Sequence, residues 1–207
     1  LTGVDFASLV PSAVAETIEA RVDASARFSG TGDSLHTAMT AMTGEGSYTL
    51  NGLAIHGFDP RVFGVIASLD EVLKLEPDAV TAKVTEGLRG GTFTAPSVTG
   101  SFTIAGGVLR SPNLSIGGDS ARLFGSTTFR LADLGLSGGF VMSPAAPSGP
   151  DGMLTEANTK VAANFSGTLR DPVGSYDVAG MVDTIMVRAY EIEVARLEEI
   201  RAEEEAR

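Results

Sequence analysis

The most regular pattern in the chain is a strict alternation of apolar and polar residues over 18–29. Apolar residues occupy every even position from Ile18 to Phe28, and charged or hydroxyl residues occupy the odd positions between them. Because successive side chains of a strand point to opposite sides, this pattern predicts one strand of about 12 residues with a single apolar side. Such a strand is about twice the usual length, so a large apolar surface has to be covered by something.

The same period-two pattern returns along much of the chain and predicts further strands. The alternating sets are Val80, Ala82 and Val84; Val98, Phe102 and Ile104; Leu114 and Ile116; Leu123, Thr127, Phe129 and Leu131; Leu134, Leu136, Phe140 and Met142; and Val161, Ala163, Phe165 and Leu169. Two dipeptides predict tight turns between strands, because their residues tolerate positive φ: Asn51-Gly52 as a hairpin and Gly106-Gly107 as a second turn.

Helical spacing occurs in three places. Leu35, Ala38, Met39 and Met42 predict a short helix with Asp33 or Ser34 as its cap and Gly44 at its end; Val62, Phe63, Ile66, Leu69 and Leu73 predict a second helix opened by Asp59-Pro60. A third helix is expected from about Val178, with an apolar stripe that also includes Met181, Val182, Ile185, Ala189 and Ile192. Its last part, "RLEEIRAEEEAR", is charged almost all round, so we expect it to project into solvent.

These elements predict a mainly β fold: a long curved antiparallel sheet forming an open groove, with two short helices and a C-terminal helix. A sandwich of two sheets would bury the apolar sides equally well, so it remains the alternative. Aromatic residues make up only 6% of the chain, Trp is absent and Gly numbers 25, which favours a thin, extended architecture. We divide the chain into a β domain over 1–177 and a charged amphipathic helix over 178–207.

Bulk properties narrow the possible functions. The formal net charge of -11 argues against nucleic acid as a partner, because phosphate binding needs a basic surface. No run of 18 or more apolar residues occurs, so no membrane-spanning helix is predicted. Because the chain begins with Leu1 and not with Met, we interpret it as a fragment or a processed product.

The best candidate for catalysis is Gly32-Asp33-Ser34-Leu35, which resembles the nucleophile block of GDSL hydrolases. That chemistry needs a histidine base, which the family places near the C-terminus, and no histidine follows His56 here. Ser34 also has an ordinary role as a helix cap. His36 and His56 lack neighbouring ligands in the sequence, so no metal or cofactor site and no enzymatic activity are expected.

Three segments, in order, resemble blocks of the AsmA family. "MTGEGSYTLNGLAIHGFDPRVF" resembles a block with Gly-x-Gly, two strands and Gly-x-Asp opening a helix. "GGTFTAPSVTGSFTIAGGVLRSPNLSIGGDSARLFGSTTFRLADLGLSGGFVM" resembles the next block, and "FSGTLRDPVGSYD" resembles the closing one. The resemblance extends over about residues 18 to 180 and leaves the terminal helix unmatched.

The resemblance implies a periplasmic protein of a Gram-negative envelope, anchored in the inner membrane by a preceding segment and related to TamB-type bridge-like lipid carriers. By this resemblance, the chain is the C-terminal part of a larger protein. It implies a lipid-binding or lipid-transfer module in outer membrane biogenesis, with phospholipid or another acyl-chain lipid as its ligand. Envelope proteins are expected partners through 178–207. The alternative is a structural or protein-docking β domain without lipid transport. The residues expected to face lipid are Ile18, Val22, Phe28, Val98, Phe102, Ile104, Phe129, Leu136, Phe140 and Phe165.

Overall fold

The structure, a computed structural model, describes residues 1–65, 74–149 and 152–205. In this part of the chain, nine strands form one open antiparallel sheet with a groove-like form, in which neighbouring strands follow chain order. The mainly β prediction is therefore confirmed, and the single sheet replaces the sandwich alternative. The strands are β1 Val4–Asp5, β2 Ile18–Ser29, β3 Thr43–His56, β4 Thr92–Ala105, β5 Val108–Gly117, β6 Ala121–Arg130, β7 Gly135–Pro144, β8 Val161–Gly167 and β9 Pro172–Asp177.

In the described residues, five α-helices accompany the sheet: α1 Ser12–Ala15, α2 Leu35–Thr40, α3 Val62–Val65, α4 Pro77–Arg89 and α5 Ala179–Glu205, with a 3-10 turn over Phe6–Ser8. None of these described helices combines the length and the hydropathy that crossing a membrane requires. The expected end of the second helix, with Ile66, Leu69 and Leu73, lies outside the described residues, as does the acidic pair Asp70-Glu71.

One side of the sheet is apolar in every long strand, as the alternation predicts. Cross-strand partners share a side, and the register aligns apolar or glycine residues with one another from β2 to β9. We call this side the apolar face. The other side carries mainly hydroxyl and charged residues.

Helices α3, α4 and α5 cover one half of the apolar face. Val80, Val84 and Leu88 of α4 are fully buried, and they share one hydrophobic cluster with Phe93 of β4 and Met142 of β7. Residues from α3 and from the first two turns of α5 complete the cluster. This half of the sheet is therefore the core of the protein.

The predicted hairpin at Asn51-Gly52 is wrong. β3 runs without interruption through both residues, and Gly52 has a φ of +63°. The register between β2 and β3 shifts at this point, between Glu19 and Arg21, so Asn51-Gly52 forms a β-bulge. A glycine with positive φ suits both a bulge of this type and a hairpin turn, and β3 has strand partners on both sides that keep the chain extended.

Two further predictions need correction. Val80, Ala82 and Val84 belong to α4, where Pro77 opens the helix and Val80, Val84 and Leu88 form one buried stripe. Val80 and Val84 are four residues apart, so they also share a helix face, and Ala82 between them is exposed. The packing against the sheet selects the helix. α2 ends at Thr40, before Gly44, which lies in β3 opposite Phe28.

The tight turn at Gly106-Gly107 and the C-terminal helix are confirmed. Gly106 and Gly107 have φ values of +57° and +70°, and they connect β4 to β5. The backbone N–H of Gly107 donates to the carbonyl of Met42 at 3.0 Å, so the segment between α2 and β3 is held against this turn.

Candidate functional site

The half of the apolar face away from α3, α4 and α5 lies at one end of the sheet and begins with a row that crosses six consecutive strands. Its outermost row follows the register across β2 to β7: Phe28, Gly44, Ile104, Leu109, Phe129 and Leu136. The next row contains Ala26, Gly46 and Phe102 on β2 to β4, and Thr127, Gly138, Phe165 and Gly174 on β6 to β9. We call these two rows the open half.

Most side chains of the open half are large and apolar, and all of these except Ile104 are at least partly accessible. Phe28 is 64% exposed, while Phe102, Phe129, Leu136 and Phe165 are half-buried. Among the described residues, none of the two rows belongs to the hydrophobic cluster under the helices. The open half is therefore an apolar surface that the described part of the chain leaves partly uncovered.

Glycines allow the aromatic rings of this face to lie flat on the neighbouring strand. A Cβ on Gly46 would collide with the Phe102 ring, and one on Gly138 would collide with the Phe165 ring. A Cβ on Gly100 would likewise meet the ring of Tyr48. Glycine therefore provides the space in which a ring packs across the backbone, and the surface becomes smooth and shallow.

Aromatic pairs join the two halves of the face. The rings of Tyr48 and Phe102 stack with centroids 6.4 Å apart, and those of Phe140 and Phe165 stack at 6.2 Å. Phe140 also packs against the hydrophobic cluster. The open half is thus continuous with the core, so an apolar ligand on it would extend a surface that is already rigid.

The ten residues expected to face lipid all lie on the apolar face, but they differ in accessibility. Phe28, Phe102, Phe129, Leu136 and Phe165 belong to the open half and are exposed or half-buried. Ile104 also belongs to it but is only 8% exposed, and Val22 and Val98 are buried at 7% and 3%. Ile18 and Phe140 pack against the cluster. We therefore restrict the candidate contact surface to the first five.

Leu109 belongs to the outermost row but was not selected from the sequence. The two-residue turn at Gly106-Gly107 places Ala105 opposite Val108, and hence Ile104 opposite Leu109. Because that turn was predicted from the sequence, the register that it sets could have identified Leu109 as a neighbour of Ile104. The glycines under the aromatic rings could not be identified in this way, because the rings that pack on them belong to other strands.

The opposite face is polar on β2 to β4, where it carries Ser25, Arg27, Glu45, Ser47, Ser101 and Thr103. On β6 and β7 it carries the cross-strand partners Phe124 and Val141, which are 56% and 36% exposed. An open depression of about 400 Å³ over β2, β3 and β4 is lined by residues of both faces, with Ala26, Gly46 and Phe102 from the open half. The polar side chains on β2 to β4 retain water, so in this part of the sheet an apolar ligand is expected on the apolar face.

A buried polar contact lies beside the open half. The Tyr48 hydroxyl and Ser111 Oγ are 2.8 Å apart, and Ser111 Oγ donates to the carbonyl of Ser101 at 2.8 Å. Burial raises the pKa of the Tyr48 phenol, although the hydrogen bond with Ser111 acts in the opposite direction. The phenol therefore stays neutral at physiological pH and fixes β3 against β5.

The residues considered for catalysis have structural partners. Ser34 Oγ accepts a hydrogen bond from the backbone N–H of Thr37 at 3.1 Å, which is the geometry of a helix cap. His56 is exposed and lies 3.0 Å from both Glu19 Oε1 and Thr92 Oγ1. Within residues 1–65, 74–149 and 152–205, no group of three or more His, Cys, Asp or Glu side chains is arranged to hold a metal ion.

No family model, curated protein or solved structure matches this chain.

Proposed function

We propose that this chain is a lipid-binding module of the AsmA type, which holds acyl chains on the open half of its sheet in the periplasm. In this proposal the module contributes to lipid transfer and outer membrane biogenesis, and a preceding segment anchors the protein in the inner membrane. Localisation and family rest on the sequence blocks described above. The lipid contact rests on the geometry of the sheet.

The observation that supports the proposal is the partly exposed apolar surface itself. Phe28, Phe102, Phe129, Leu136 and Phe165 lie on different strands of one face, outside the hydrophobic cluster under α3, α4 and α5. Contiguous exposed apolar patches are uncommon on soluble proteins unless they bind something. A smooth, shallow surface suits a chain of methylenes better than a ligand with a fixed shape.

The expected affinity suits a carrier. Complete burial of one methylene contributes about 0.8 kcal/mol, and contact with a one-sided sheet removes roughly half of its surface from water. An acyl chain with about 14 methylenes then gains about 5–6 kcal/mol, which corresponds to a dissociation constant near 10⁻⁴ M. Such binding is weak enough for lipid to exchange rapidly along the surface.

Site-specific photo-crosslinking in a Gram-negative host tests the proposal. The photoreactive residue replaces Phe102, Phe129 or Phe165 on the open half, and Ser101 or Thr128 on the opposite face as matched controls. Phospholipid adducts, identified by mass spectrometry, are expected only at the first three positions.

Two outcomes contradict the proposal. Adducts at neither set would show that lipid does not occupy the open half, and the structural or docking alternative would replace the lipid carrier. Equal adducts on both faces would indicate nonspecific contact with membranes rather than a lipid-binding face.

A further inference from the structure

The distal part of α5 has a second apolar stripe that does not contact the core. Met181, Val182 and Ile185 are buried in the hydrophobic cluster, but every residue from Tyr190 to Glu205 is exposed. The helix therefore leaves the body of the protein after about two turns. The remaining 187–205 extends for about 28 Å at ~1.5 Å per residue.

The stripe consists of Val187, Tyr190, Val194 and Leu197. Their spacings of three, four and three residues match the a and d positions of a heptad repeat. Tyr190 is 74% exposed, and the other three are between 36% and 60% exposed. The stripe faces a different side of α5 from the residues buried at its start, so it is a separate surface.

Acidic residues flank this stripe. With Val187 at position a, Glu191 and Glu198 occupy e positions and Glu193 occupies a g position. Between 187 and 205 there are seven glutamates and three arginines. Arg188 lies 3.2 Å from Glu191, and Arg196 lies 3.6 Å from Glu193. The Arg196 pair is exposed, so it contributes little and can be exchanged for partner contacts.

The flanking charges decide between the possible occupants. In a self-paired coiled coil, glutamates at e and g would face glutamates of the second copy in either orientation, which is unfavourable. Helices that lie on membrane surfaces carry Lys and Arg on their polar side, whereas this one carries mainly Glu. A helix with an apolar stripe flanked by basic residues complements both the shape and the charge.

We propose that the distal part of α5 docks a basic amphipathic helix of another protein in a short coiled coil. The partner's apolar residues pack on Val187, Tyr190, Val194 and Leu197, and its Lys or Arg side chains pair with Glu191, Glu193 and Glu198. This interaction is independent of lipid on the sheet, because the stripe lies outside the hydrophobic cluster and the open half.

Fluorescence anisotropy with designed peptides tests this proposal on the complete chain. One labelled peptide has Leu at a and d and Lys at e and g, and the matched peptide has Glu at e and g. We expect saturable binding of the Lys peptide below about 100 µM and none of the Glu peptide. Raising NaCl from about 20 mM to about 300 mM is expected to weaken binding about tenfold, because exposed ion pairs are screened.

Val194→Glu is expected to weaken binding of the Lys peptide by about tenfold or more, since it places a charge in the packed stripe. Ile192→Glu is the matched control, because Ile192 lies on the opposite side of the helix and is 42% exposed. Circular dichroism verifies that both variants keep the helix. Lipid adducts at Phe102 are expected to be unchanged by Val194→Glu.

Absence of binding by the Lys peptide, equal binding by both peptides, or equal loss in the two variants would overturn the proposal. Sedimentation of the chain alone provides a further check. A dimer that Val194→Glu dissociates would identify a second copy, and not a basic helix, as the occupant.

Discussion

Two phenylalanines of the same strand test whether half of the apolar face is open in solution. Phe93 and Phe102 both belong to β4 and both lie on the apolar face, but Phe93 is fully buried under the helices while Phe102 is half-buried on the open half. Replacing each with Ala removes the same atoms from two different environments. The difference in unfolding free energy between the two variants therefore measures how much more tightly Phe93 is packed under the helices than Phe102 is on the open half.

The two substitutions should lower the free energy of unfolding by different amounts. Phe93→Ala leaves a cavity in the core and should lower the free energy of unfolding by about 3–5 kcal/mol. Phe102→Ala leaves no enclosed cavity, because the ring lies between Gly46 and solvent. It loses partial burial and the stacking with Tyr48, together about 1–1.5 kcal/mol.

Urea unfolding followed by far-UV circular dichroism is the appropriate assay, since the chain contains no Trp. We expect Phe93→Ala to destabilise the protein by about 2–3 kcal/mol more than Phe102→Ala, with unchanged m values. Equal costs would refute the reasoning, because they would show that Phe102 is packed as tightly as Phe93. Repeating the measurement at several protein concentrations shows whether a second copy provides that packing.

Three other substitutions test local features of the structure. Gly107→Ala should destabilise more than Gly106→Ala, because both positions have positive φ but only Gly107 also approaches α2 closely; equal urea midpoints would contradict this contact. Burial opposes ionisation of Asp59, but hydrogen bonds from Arg61 outweigh it and lower the pKa of the carboxyl. The ionised carboxylate of Asp59 therefore stabilises the fold above its unfolded pKa of about 3.9, and this stabilisation is lost as the pH falls below that value. Asp59→Asn should lower the free energy of unfolding by about 1–3 kcal/mol at pH 7 and by less at pH 3. An equal loss at both pH values would refute the role of the Asp59–Arg61 pair. Ser34→Ala should cost about 1 kcal/mol by removing the cap of α2, and a change in ester hydrolysis by the variant would contradict the capping role.

In several of the long strands, the residues that share one side were predictable from the sequence, because side-chain direction in a strand alternates with every residue. The alternation in β2 determined which residues share a side, and Gly106-Gly107 determined the turn that places Ile104 opposite Leu109. The terminal helix was predictable for the same reason, since its apolar stripe lies within one segment. These features depend only on neighbours along the chain.

The sequence pattern could not predict what packs against the apolar side of each strand. Val98 and Phe102 follow one pattern in one strand, yet the first is buried under helices and the second is half-buried. Asn51-Gly52 satisfies the requirements of a hairpin and of a bulge, and the strands on both sides of β3 select the bulge. The sequence by itself determined the two faces of the sheet. Only the tertiary structure decided which half is covered, because covering depends on helices that are distant in the chain and packed close in space.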